Sequence, residues 1–565
     1  MTRAQKPKKA KIYKSKKGKL IYALLTCALI ITVVFYAFRG KKMTITQYSV
    51  INRHPGISPD YSGSVIPPNI APLNFFIQQD GSRYFVKIHS KKGKPIEIFS
   101  NTPEIMIPQS RWNELLNTNR GEQLSFDVFV KMANDQWNRF STITNKIANE
   151  DIDAILVYRK IRPGHGTWRD MGIYQRNLNS FNESVVLNNG YFKHGCVNCH
   201  TFCNNRTDKM FIGIRSAVYG SSVLLLENGV VNKIGTKFGY TSWHPTGRVA
   251  AYSINKVRQF FHSARSEVRD VIDLDSLLAY YLVDSKTIKT SPQISKKDRL
   301  ETYPTWSPDG RYLYFCSAPL FWSERNVIPE RFDEIKYDLV RISYDIDRDK
   351  WGELETVLSA KDTGLSILLP RISPDGRWLL FCMCNYGCFP VYQQSSDLYL
   401  IDLEAVQHQL GVSPVKASSL RASNGVSPSS INAGQTGKYE YRRLEINSNK
   451  SESWHSFSSN GRWIAFSSKR QSGVFTRTYI SYVDRQGKVY KPLLLPQKDP
   501  TYYDSCLWTY SVPELVREPV RVTKEKLGRV VRGSRKISAP FPVTMATPKA
   551  GAPPEPAQPW LTERE

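Results

Sequence analysis

The sequence predicts an all-β protein, a six-bladed β-propeller preceded by a small β-sandwich and by an N-terminal transmembrane helix. Three observations carry this prediction: a turn motif that recurs through the middle of the chain, short alternating segments before it, and an uncharged apolar run near the N-terminus. Aromatic residues make up 12% of the 565 residues, and their rings pack well on pleated sheets. A chain of this length also has room for more than one domain.

The recurring motif is a tight turn of the type Ser-Pro-Asp-Gly-Arg that leads into an aromatic or apolar strand. Clear copies begin at Trp306 and Ile372, and weaker copies begin at Trp243 and Phe457. Glycine in such a turn can adopt a positive φ, so each copy is expected to join two antiparallel strands. Four strands per unit are typical of propeller blades. A second hairpin signal follows every copy, at 276–284, 338–343, 397–402 and 479–484.

The blade count needs one further inference. The segment 171–178 has the pattern of a second hairpin but precedes any copy of the first, so it lacks a partner. The stretch 504–510 near the other end can supply the missing strands, and both chain ends then close one blade. With 202–214 as a degenerate first copy, the count is six, and five or seven blades remain alternatives.

The N-terminus has the pattern of an uncleaved membrane anchor. Residues 1–19 hold nine Lys or Arg and no acidic residue, and Leu20 to Phe38 form an apolar run without a charge. Such a run roughly spans a ~30 Å hydrocarbon core, and the basic block places the N-terminus in the cytoplasm. We therefore expect a single-pass protein of the bacterial inner membrane with its globular part in the periplasm. Nine of the 28 formal positive charges belong to the tail, and the remaining 19 suit an anionic neighbour.

Composition and alternation divide the rest of the chain. A polar segment punctuated by Pro and Gly follows the anchor, and short alternating strands such as 84–88 come next. The C-terminal end is rich in Pro and Ala and lacks apolar periodicity, which is typical of disorder. We predict a linker at 39–68, a β-sandwich domain at 69–165, the propeller at 166–515 and a disordered tail at 516–565.

One motif carries recognisable chemistry. Cys196-Val197-Asn198-Cys199-His200 is a C-x-x-C-H segment, the attachment sequence of c-type haem. Cys196 and Cys199 would form thioethers with the haem vinyl groups, and His200 would give an imidazole nitrogen to the iron. A zinc site would need a second ligand pair at comparable spacing, and a thioredoxin-like site would need a βαβ context. The sequence therefore predicts one covalent haem c, placed at a blade edge.

The second axial ligand of the iron is less well defined. His or Met is the usual choice, and Met171 and His262 are the candidates. Met171 lies in the strand pattern next to the first blade, and His262 follows the second repeat. Each also has an ordinary interpretation, Met171 as core filler and His262 as a loop histidine. His165 is a further candidate, and an open iron position is a fourth alternative.

Six other exported cysteines have no assigned role. Cys382, Cys384 and Cys388 lie close together in the sequence, so they could form a disulfide, remain buried free thiols or hold a metal. No Gly-x-Ser-x-Gly elbow, His-Glu-x-x-His helix, P-loop or dinucleotide motif is present. The sequence gives no support for a hydrolase or nucleotide enzyme, and no nucleic-acid partner is expected.

The repeat resembles the TolB-like (PD40/WD40-like) propeller family. A narrower resemblance covers about 68–520, to TolB-like propeller proteins that carry an inserted haem motif and are often called cytochrome c biogenesis proteins. It implies a haem-bearing propeller and assigns no catalytic residue. The segments that carry it are Ile66 to Pro72, Met171 to Arg176, Cys196 to Phe202, Trp454 to Asn460 and Leu495 to Pro500.

Two functions from different classes fit these features. The first is a membrane-anchored periplasmic c-type cytochrome, an electron carrier or the redox subunit of a membrane-associated complex. The second is a binding or scaffolding propeller that engages a partner or a polysaccharide on its top face, with haem as a structural or sensory element. A protein redox or assembly partner is expected. A haem enzyme remains open, but a non-enzymatic carrier or binding protein is favoured.

Overall fold

The computed structural model describes residues 45–162, 170–263, 267–405, 433–436 and 439–539. Among these residues, no helix is long and apolar enough to cross a membrane. The predicted anchor at 20–38 lies outside the described residues, as do the basic tail and His165.

The first domain consists of two sheets that share one core. Strands β1, β3, β5, β6, β8, β9 and β10 form a seven-stranded sheet, and β2, β4 and β7 form a three-stranded sheet. The rings of Phe75 and Phe126, one from each sheet, lie 6.1 Å apart. The elements are β1 Ser49–Ile51, β2 Ile57–Ser58, β3 Val65–Ile66, β4 Phe75–Ile77, β5 Arg83–His89, β6 Ile96–Ser100, β7 Glu104–Ile105, α1 Gln109–Thr118, β8 Gln123–Lys131, β9 Trp137–Phe140 and β10 Ile143–Ile147.

Two boundaries differ from the predicted domains. Strands β1 to β3 lie in the predicted linker 39–68, but β1 pairs in parallel with β9 and β3 pairs in parallel with β10. These strands have two or three residues and partners far along the chain, so they leave no local alternation to detect. Strand β11, Ile155–Ile161, lies within the range predicted for the β-sandwich, but it pairs with the propeller strands β12 and β35.

The remaining strands form six antiparallel sheets of four or five strands. In chain order, and each from its innermost strand, sheets 1 to 6 are β35-β11-β12-β13, β14-β15-β16-β17, β18-β19-β20-β21, β22-β23-β24-β25, β26-β27-β28-β30-β29 and β31-β32-β33-β34. Their bounds are β11 Ile155–Ile161, β12 Met171–Asn177, β13 Glu183–Asn188, β14 Cys196–Cys203, β15 Arg206–Ser216, β16 Gly220–Glu227, β17 Val230–Ile234, β18 Thr241–Trp243, β19 Val249–Phe261, β20 Arg269–Leu282, β21 Thr287–Lys289, β22 Arg299–Trp306, β23 Tyr312–Pro319, β24 Asp338–Asp345, β25 Lys350–Leu358, β26 Ser366–Ile372, β27 Trp378–Cys384, β28 Asp397–Asp402, β29 Ala433–Thr436, β30 Tyr439–Arg443, β31 Glu452–Phe457, β32 Trp463–Ser468, β33 Arg477–Tyr482, β34 Leu493–Leu494 and β35 Thr509–Val516.

The innermost strands form a closed ring around a central channel. Strand β14 contacts β18, β18 contacts β22, and the series continues through β26, β31 and β35 back to β14. This radial arrangement of antiparallel sheets is a β-propeller. Sheet 1 combines a strand from the C-terminal end with three from the N-terminal end, so the two chain ends close the ring as the sequence predicts.

The recurring turn explains how each sheet begins. Ser373 Oγ accepts a hydrogen bond from Trp378 N at 2.9 Å, and Gly376 has φ 80°. Ser307 makes the same 2.9 Å bond with Tyr312 N. Sheet 2 lacks the Ser-Pro-Asp-Gly sequence and instead turns through Asn204 and Asn205, both at positive φ, a conformation that Asn tolerates.

A C-terminal segment lies across sheets 1 and 2. Residues 517–539, predicted as part of the disordered tail, instead contain helix α4, Lys524–Arg532, which packs against β13, β16 and β17. Lys233 Nζ donates to the carbonyl oxygens of Val531 at 2.7 Å and Gly533 at 3.0 Å. The remaining helices are α2, Ala360–Thr363, and α3, Tyr502–Ser505, with short 3-10 turns at Asn189–Phe192, Phe332–Glu334 and Pro390–Tyr392.

Closure by β35 gives a testable stability prediction. Leu515 is fully buried in β35, whereas Leu507, just before the strand, is 53% exposed. Leu515→Ala leaves a cavity in the core, so we expect the free energy of unfolding to fall by about 2–5 kcal/mol. Urea denaturation followed by circular dichroism measures this change. Leu507→Ala is the matched control, and equal effects of the two substitutions would contradict the role of β35 in closure.

Candidate functional site in the central channel

The C-x-x-C-H motif lies on β14, the innermost strand of sheet 2. Cys196 pairs with Arg215 and Asn198 pairs with Gly213, but the register then shifts and the next pair is Thr201 with Phe211. Cys199 and His200 therefore form a bulge, in which Cys199 has φ 53°. A bulge turns side chains away from their regular alternation, and here it places Cys199 and His200 on the wall of the channel.

The same bulge recurs in other innermost strands. The residues that correspond to Cys199 also have a left-handed φ, and the register shifts at each of them. In each of these strands the left-handed residue is followed by a proline or a histidine. The residue pairs are Tyr303-Pro304 in β22, Leu369-Pro370 in β26, Trp454-His455 in β31 and Val512-Pro513 in β35. Proline has no N–H to donate to the sheet and is tolerated at such bulges.

These bulges line a cavity in the channel, to which all six sheets contribute. We call it the motif cavity. Its aromatic wall is formed by Tyr240, Tyr303 and Trp454, and the ring of Tyr240 lies 4.2 Å from Tyr303 and 5.8 Å from Trp454. The residues at the corresponding position of the sheets are Cys199, Tyr240, Tyr303, Leu369, Trp454 and Val512.

His200 places its imidazole ring in the wall of the motif cavity. Its side chain is buried, and neither ring nitrogen reaches a partner at full hydrogen-bond geometry, although the backbone of Val512 and Val157 lies close to the ring. Burial lowers the pKa of His200 to about 3, and the charge of Arg159 acts in the same direction, while the nearby backbone of Val512 and Val157 opposes the shift. His200 is therefore neutral at physiological pH, with ring nitrogens free to bind a ligand.

His455 provides an internal comparison, because it occupies the same bulge position in sheet 6. Its Nε2 lies 3.1 Å from the carbonyl oxygen of Leu380 and its Nδ1 lies 3.7 Å from Cys382 Sγ. Burial also lowers the pKa of His455 to about 3. The protein thus satisfies one buried histidine at this position and leaves the other, in the motif, unsatisfied.

The two motif cysteines are free thiols in a basic environment. Cys196 and Cys199 both line a smaller cavity of about 220 Å³, together with Arg215 and Lys237. Burial raises the pKa of both thiols, and Arg215, Arg159 and Lys237 oppose that shift. Burial and the charge of Arg215 lower the pKa of Lys237 to about 8, and its Nζ donates to Asn255 O at 2.6 Å.

The donor set of the motif fits a covalent haem. Cys199 and His200, whose ring nitrogens are both unpaired, line the motif cavity, and Cys196 adjoins the smaller cavity that Cys199 also lines. The aromatic wall suits a flat apolar ring. Cys196, Cys199 and His200 are therefore the residues that would hold haem.

The two candidates for a second axial ligand lie elsewhere. Met171 is buried in an apolar cluster between sheets 1 and 2 that also contains Cys196, but it does not line the motif cavity. His262 lies in another cavity, where its Nε2 is 3.0 Å from Asp270 Oδ2. Asp270 Oδ2 also accepts a hydrogen bond from Tyr386 at 2.6 Å. Among the residues that the structure describes, His200 is the only histidine in the wall of the motif cavity, and no methionine lies in that wall.

The remaining cysteines are structural in the described part of the chain. Cys382, Cys384 and Cys388 are buried free thiols, so this structure favours that alternative over a disulfide. Burial raises the pKa of all three thiols. No group of three or more His, Cys, Asp or Glu in the described residues is arranged to hold a metal ion.

Comparisons with known proteins add little to this geometry. No family model matches the chain, and no curated protein matches it. Among solved structures, the hydrazine synthase of Kuenenia stuttgartiensis is 8% identical with a TM-score of 0.37, and covers 66% of this chain and 48% of its own. Prolyl oligopeptidase B from Galerina marginata is 12% identical with a TM-score of 0.30, covering 76% and 54%.

A third similar structure, the β-propeller domain of the trilobed protease from Pyrococcus furiosus, is 9% identical with a TM-score of 0.26, covering 64% of this chain and 79% of its own. This chain spans about half the length of the first two proteins. With TM-scores below 0.5, these likenesses carry no argument about activity. The structure shows a β-propeller, and the closer resemblance to the TolB-like family stays a prediction.

Sequence reasoning missed the aromatic wall and Arg371, which also lines the motif cavity. The sequence did contain a signal for this level of the channel, in the residues that precede each turn. When the copies of the repeat are aligned at their turns, the five-residue segments that match are Cys199-His200-Thr201-Phe202-Cys203, Trp454-His455-Ser456-Phe457-Ser458 and Tyr303-Pro304-Thr305-Trp306-Ser307. This alignment identifies the motif as one copy of the channel-lining bulge.

The buried neutral state of His455 predicts a pH dependence. The folded protein resists protonation of His455 down to pH about 3, while the unfolded chain binds that proton below pH about 6.5. The contribution of neutral His455 to the free energy of unfolding is therefore complete above pH 6.5 and is lost as the pH falls below that value. Between pH 7 and pH 5 we expect the wild type to lose about 2 kcal/mol more unfolding free energy than His455→Gln.

Urea denaturation at several pH values measures this difference between wild type and His455→Gln. The control is His54→Gln, which changes an exposed histidine and should keep the wild-type slope. Parallel pH profiles for wild type and His455→Gln would show that His455 is not the group responsible.

Proposed function

We propose that this chain is a membrane-anchored periplasmic c-type cytochrome whose six sheets are the six blades of a TolB-like propeller. One haem c would be attached at Cys196 and Cys199, with His200 as an axial ligand of the iron. The observation that carries the proposal is the buried imidazole of His200, whose nitrogens are both unpaired beside two free thiols. An unsatisfied buried polar group costs free energy, and a bound iron would remove that cost.

The chain's own residues would bind, shield and tune the group. The left-handed bulge at Cys199 holds His200 against sheet 1, and the aromatic wall of the motif cavity excludes water. Arg159, Arg215 and Lys237 surround the motif. Haem supplies reversible one-electron chemistry when bound. Buried positive charges near it favour the reduced state, so this environment would raise the reduction potential.

Localisation and partners follow from the sequence features outside the described residues. The apolar run Leu20 to Phe38 would anchor the chain in the bacterial inner membrane, with residues 1–19 in the cytoplasm. The basic exported part suits an acidic redox or assembly partner. Nucleic acid is not expected as a partner.

One observation favours the second function, a binding propeller in which haem is structural or sensory. Electron carriers usually expose part of the haem to a partner, but Cys196 and His200 are only 5% and 2% exposed. Protein-film voltammetry separates the two functions. Reversible one-electron transfer to an electrode supports the carrier, and covalent haem without such transfer supports the structural or sensory role.

The decisive test is covalent haem attachment. We expect the full-length protein, produced in a host that matures c-type cytochromes, to retain haem staining after denaturing electrophoresis. Cys196→Ala/Cys199→Ala should abolish the staining, because both thioethers are lost. His200→Ala should keep covalent haem but change the absorption spectrum of the iron.

Cys203→Ala is the matched control, since Cys203 lies on the same strand outside the motif and is also a buried free thiol. It should stain like the wild type. A wild-type protein without covalent haem would sink the cytochrome proposal and leave a membrane-tethered binding propeller.

A further inference from the structure

A second set of equivalent positions lines the channel on the turn side of the motif cavity. Each innermost strand contributes one residue, two positions after its bulge residue, and all six side chains are polar or charged. We call this set the polar ring. Its members are Thr201, Ser242, Thr305, Arg371, Ser456 and Glu514.

The register shows that these positions are structurally equivalent. Each ring residue lies opposite the corresponding residue of the second strand of its sheet, as in the pairs Thr201 with Phe211, Thr305 with Tyr314 and Ser456 with Ala465. The pairs Ser242 with Ala251, Arg371 with Leu380 and Glu514 with Val157 complete the set. The residues that follow in the strands, such as Trp306 and Phe457, are apolar and buried. Six polar residues at one repeat position are thus a specific feature of the channel.

The polar ring lines a cavity, which we call the ring cavity. It reaches the turns at Asn204, Asn205 and Pro374, and its wall also contains Phe202, Trp243 and Phe457. Small-molecule sites likewise combine apolar walls with a few oriented polar groups.

Several polar groups of the ring are left without a partner. Ser456 is buried, and its Oγ makes no hydrogen bond. The structure gives no side-chain hydrogen bond to Thr201 or Thr305. Ser242 Oγ accepts a bond from Trp306 N at 3.1 Å, so its hydroxyl hydrogen is still available. These hydroxyl groups both donate and accept hydrogen bonds.

The charges of the ring neutralise each other. Arg371 Nη2 donates to Glu514 Oε1 at 3.0 Å. In the part of the chain that the structure describes, no other charged side chain lines the ring cavity. The second oxygen of Glu514 and the other donors of Arg371 remain for a ligand. A charged ligand would lose its hydration without a free counter-charge. A neutral ligand rich in hydroxyl groups would match the donors and acceptors.

We propose that the polar ring binds a neutral polyhydroxylated small molecule of the sugar or polyol class. Its hydroxyl groups would bond to Thr305, Ser456 and the Arg371–Glu514 pair, and its C–H faces would pack against Phe202, Trp243 and Phe457 of the ring cavity. This site is independent of haem, because Cys199 and His200 line the other cavity and Arg371 is the only ring residue shared by both.

The test is isothermal titration calorimetry on the full-length protein, in a detergent without a sugar head group. The probes are D-glucose, N-acetylglucosamine, maltose and myo-inositol, with acetate and phosphate as anionic comparisons. We expect at least one neutral probe to bind, and Thr305→Val/Ser456→Ala to weaken it about tenfold or more, since two hydrogen bonds are lost.

Thr478→Val is the matched control, because Thr478 is also buried with an unpartnered hydroxyl but lies on β33, outside the ring cavity. It should bind like the wild type. Cys196→Ala/Cys199→Ala should also keep the affinity, which separates this site from the haem proposal. The proposal is overturned if none of the neutral probes binds, if acetate or phosphate binds in their place, or if Thr305→Val/Ser456→Ala binds as tightly as the wild type.

Discussion

The bulge in the innermost strands is the constraint on which the channel depends. A regular strand would point alternate side chains into the channel and between the sheets. The left-handed residue at Cys199, Tyr303, Leu369, Trp454 and Val512 breaks that alternation at one level of the ring. For residues other than glycine this conformation costs of order 1 kcal/mol or more each. The surrounding ladders and apolar sheet interfaces hold it in place.

The bulge also separates the channel into two chemical environments. At the level of the bulge the wall is largely aromatic and aliphatic, and the exceptions are Asn198, Cys199, His200, Thr241 and Arg371. Two residues further along each strand, the wall consists of hydroxyl groups and one ion pair. Each copy of the repeat therefore contributes one residue to the apolar part of the channel and one to the polar part. Different residues at these positions in the individual copies give each part its chemistry, and the C-x-x-C-H motif is the form that sheet 2 carries.

Much of the propeller could be predicted because its turns carry strong local signals. Gly310 and Gly376 have the positive φ that the Asp-Gly turn requires, and the closing of one sheet by both chain ends followed from an unpaired hairpin. The short strands β1 and β3 could not be predicted, because each pairs in parallel with a strand far along the chain. The motif residues were recognised from spacing alone. The aromatic wall, Arg371 and the unpaired nitrogens of His200 depend on packing between sheets, which no single segment encodes.

The closure of sheet 1 has a consequence for the order of assembly. The backbone that packs against His200 comes from Val157 on one side and from Val512 on the other, and Val512 belongs to the last strand of the ring. During synthesis the first sheets emerge long before residue 512 does, and domains fold as their chain becomes available. The motif therefore stays accessible on an open ring until the end of the propeller arrives. Any enzyme that modifies Cys196 or Cys199 would act within that interval, before the channel wall is complete.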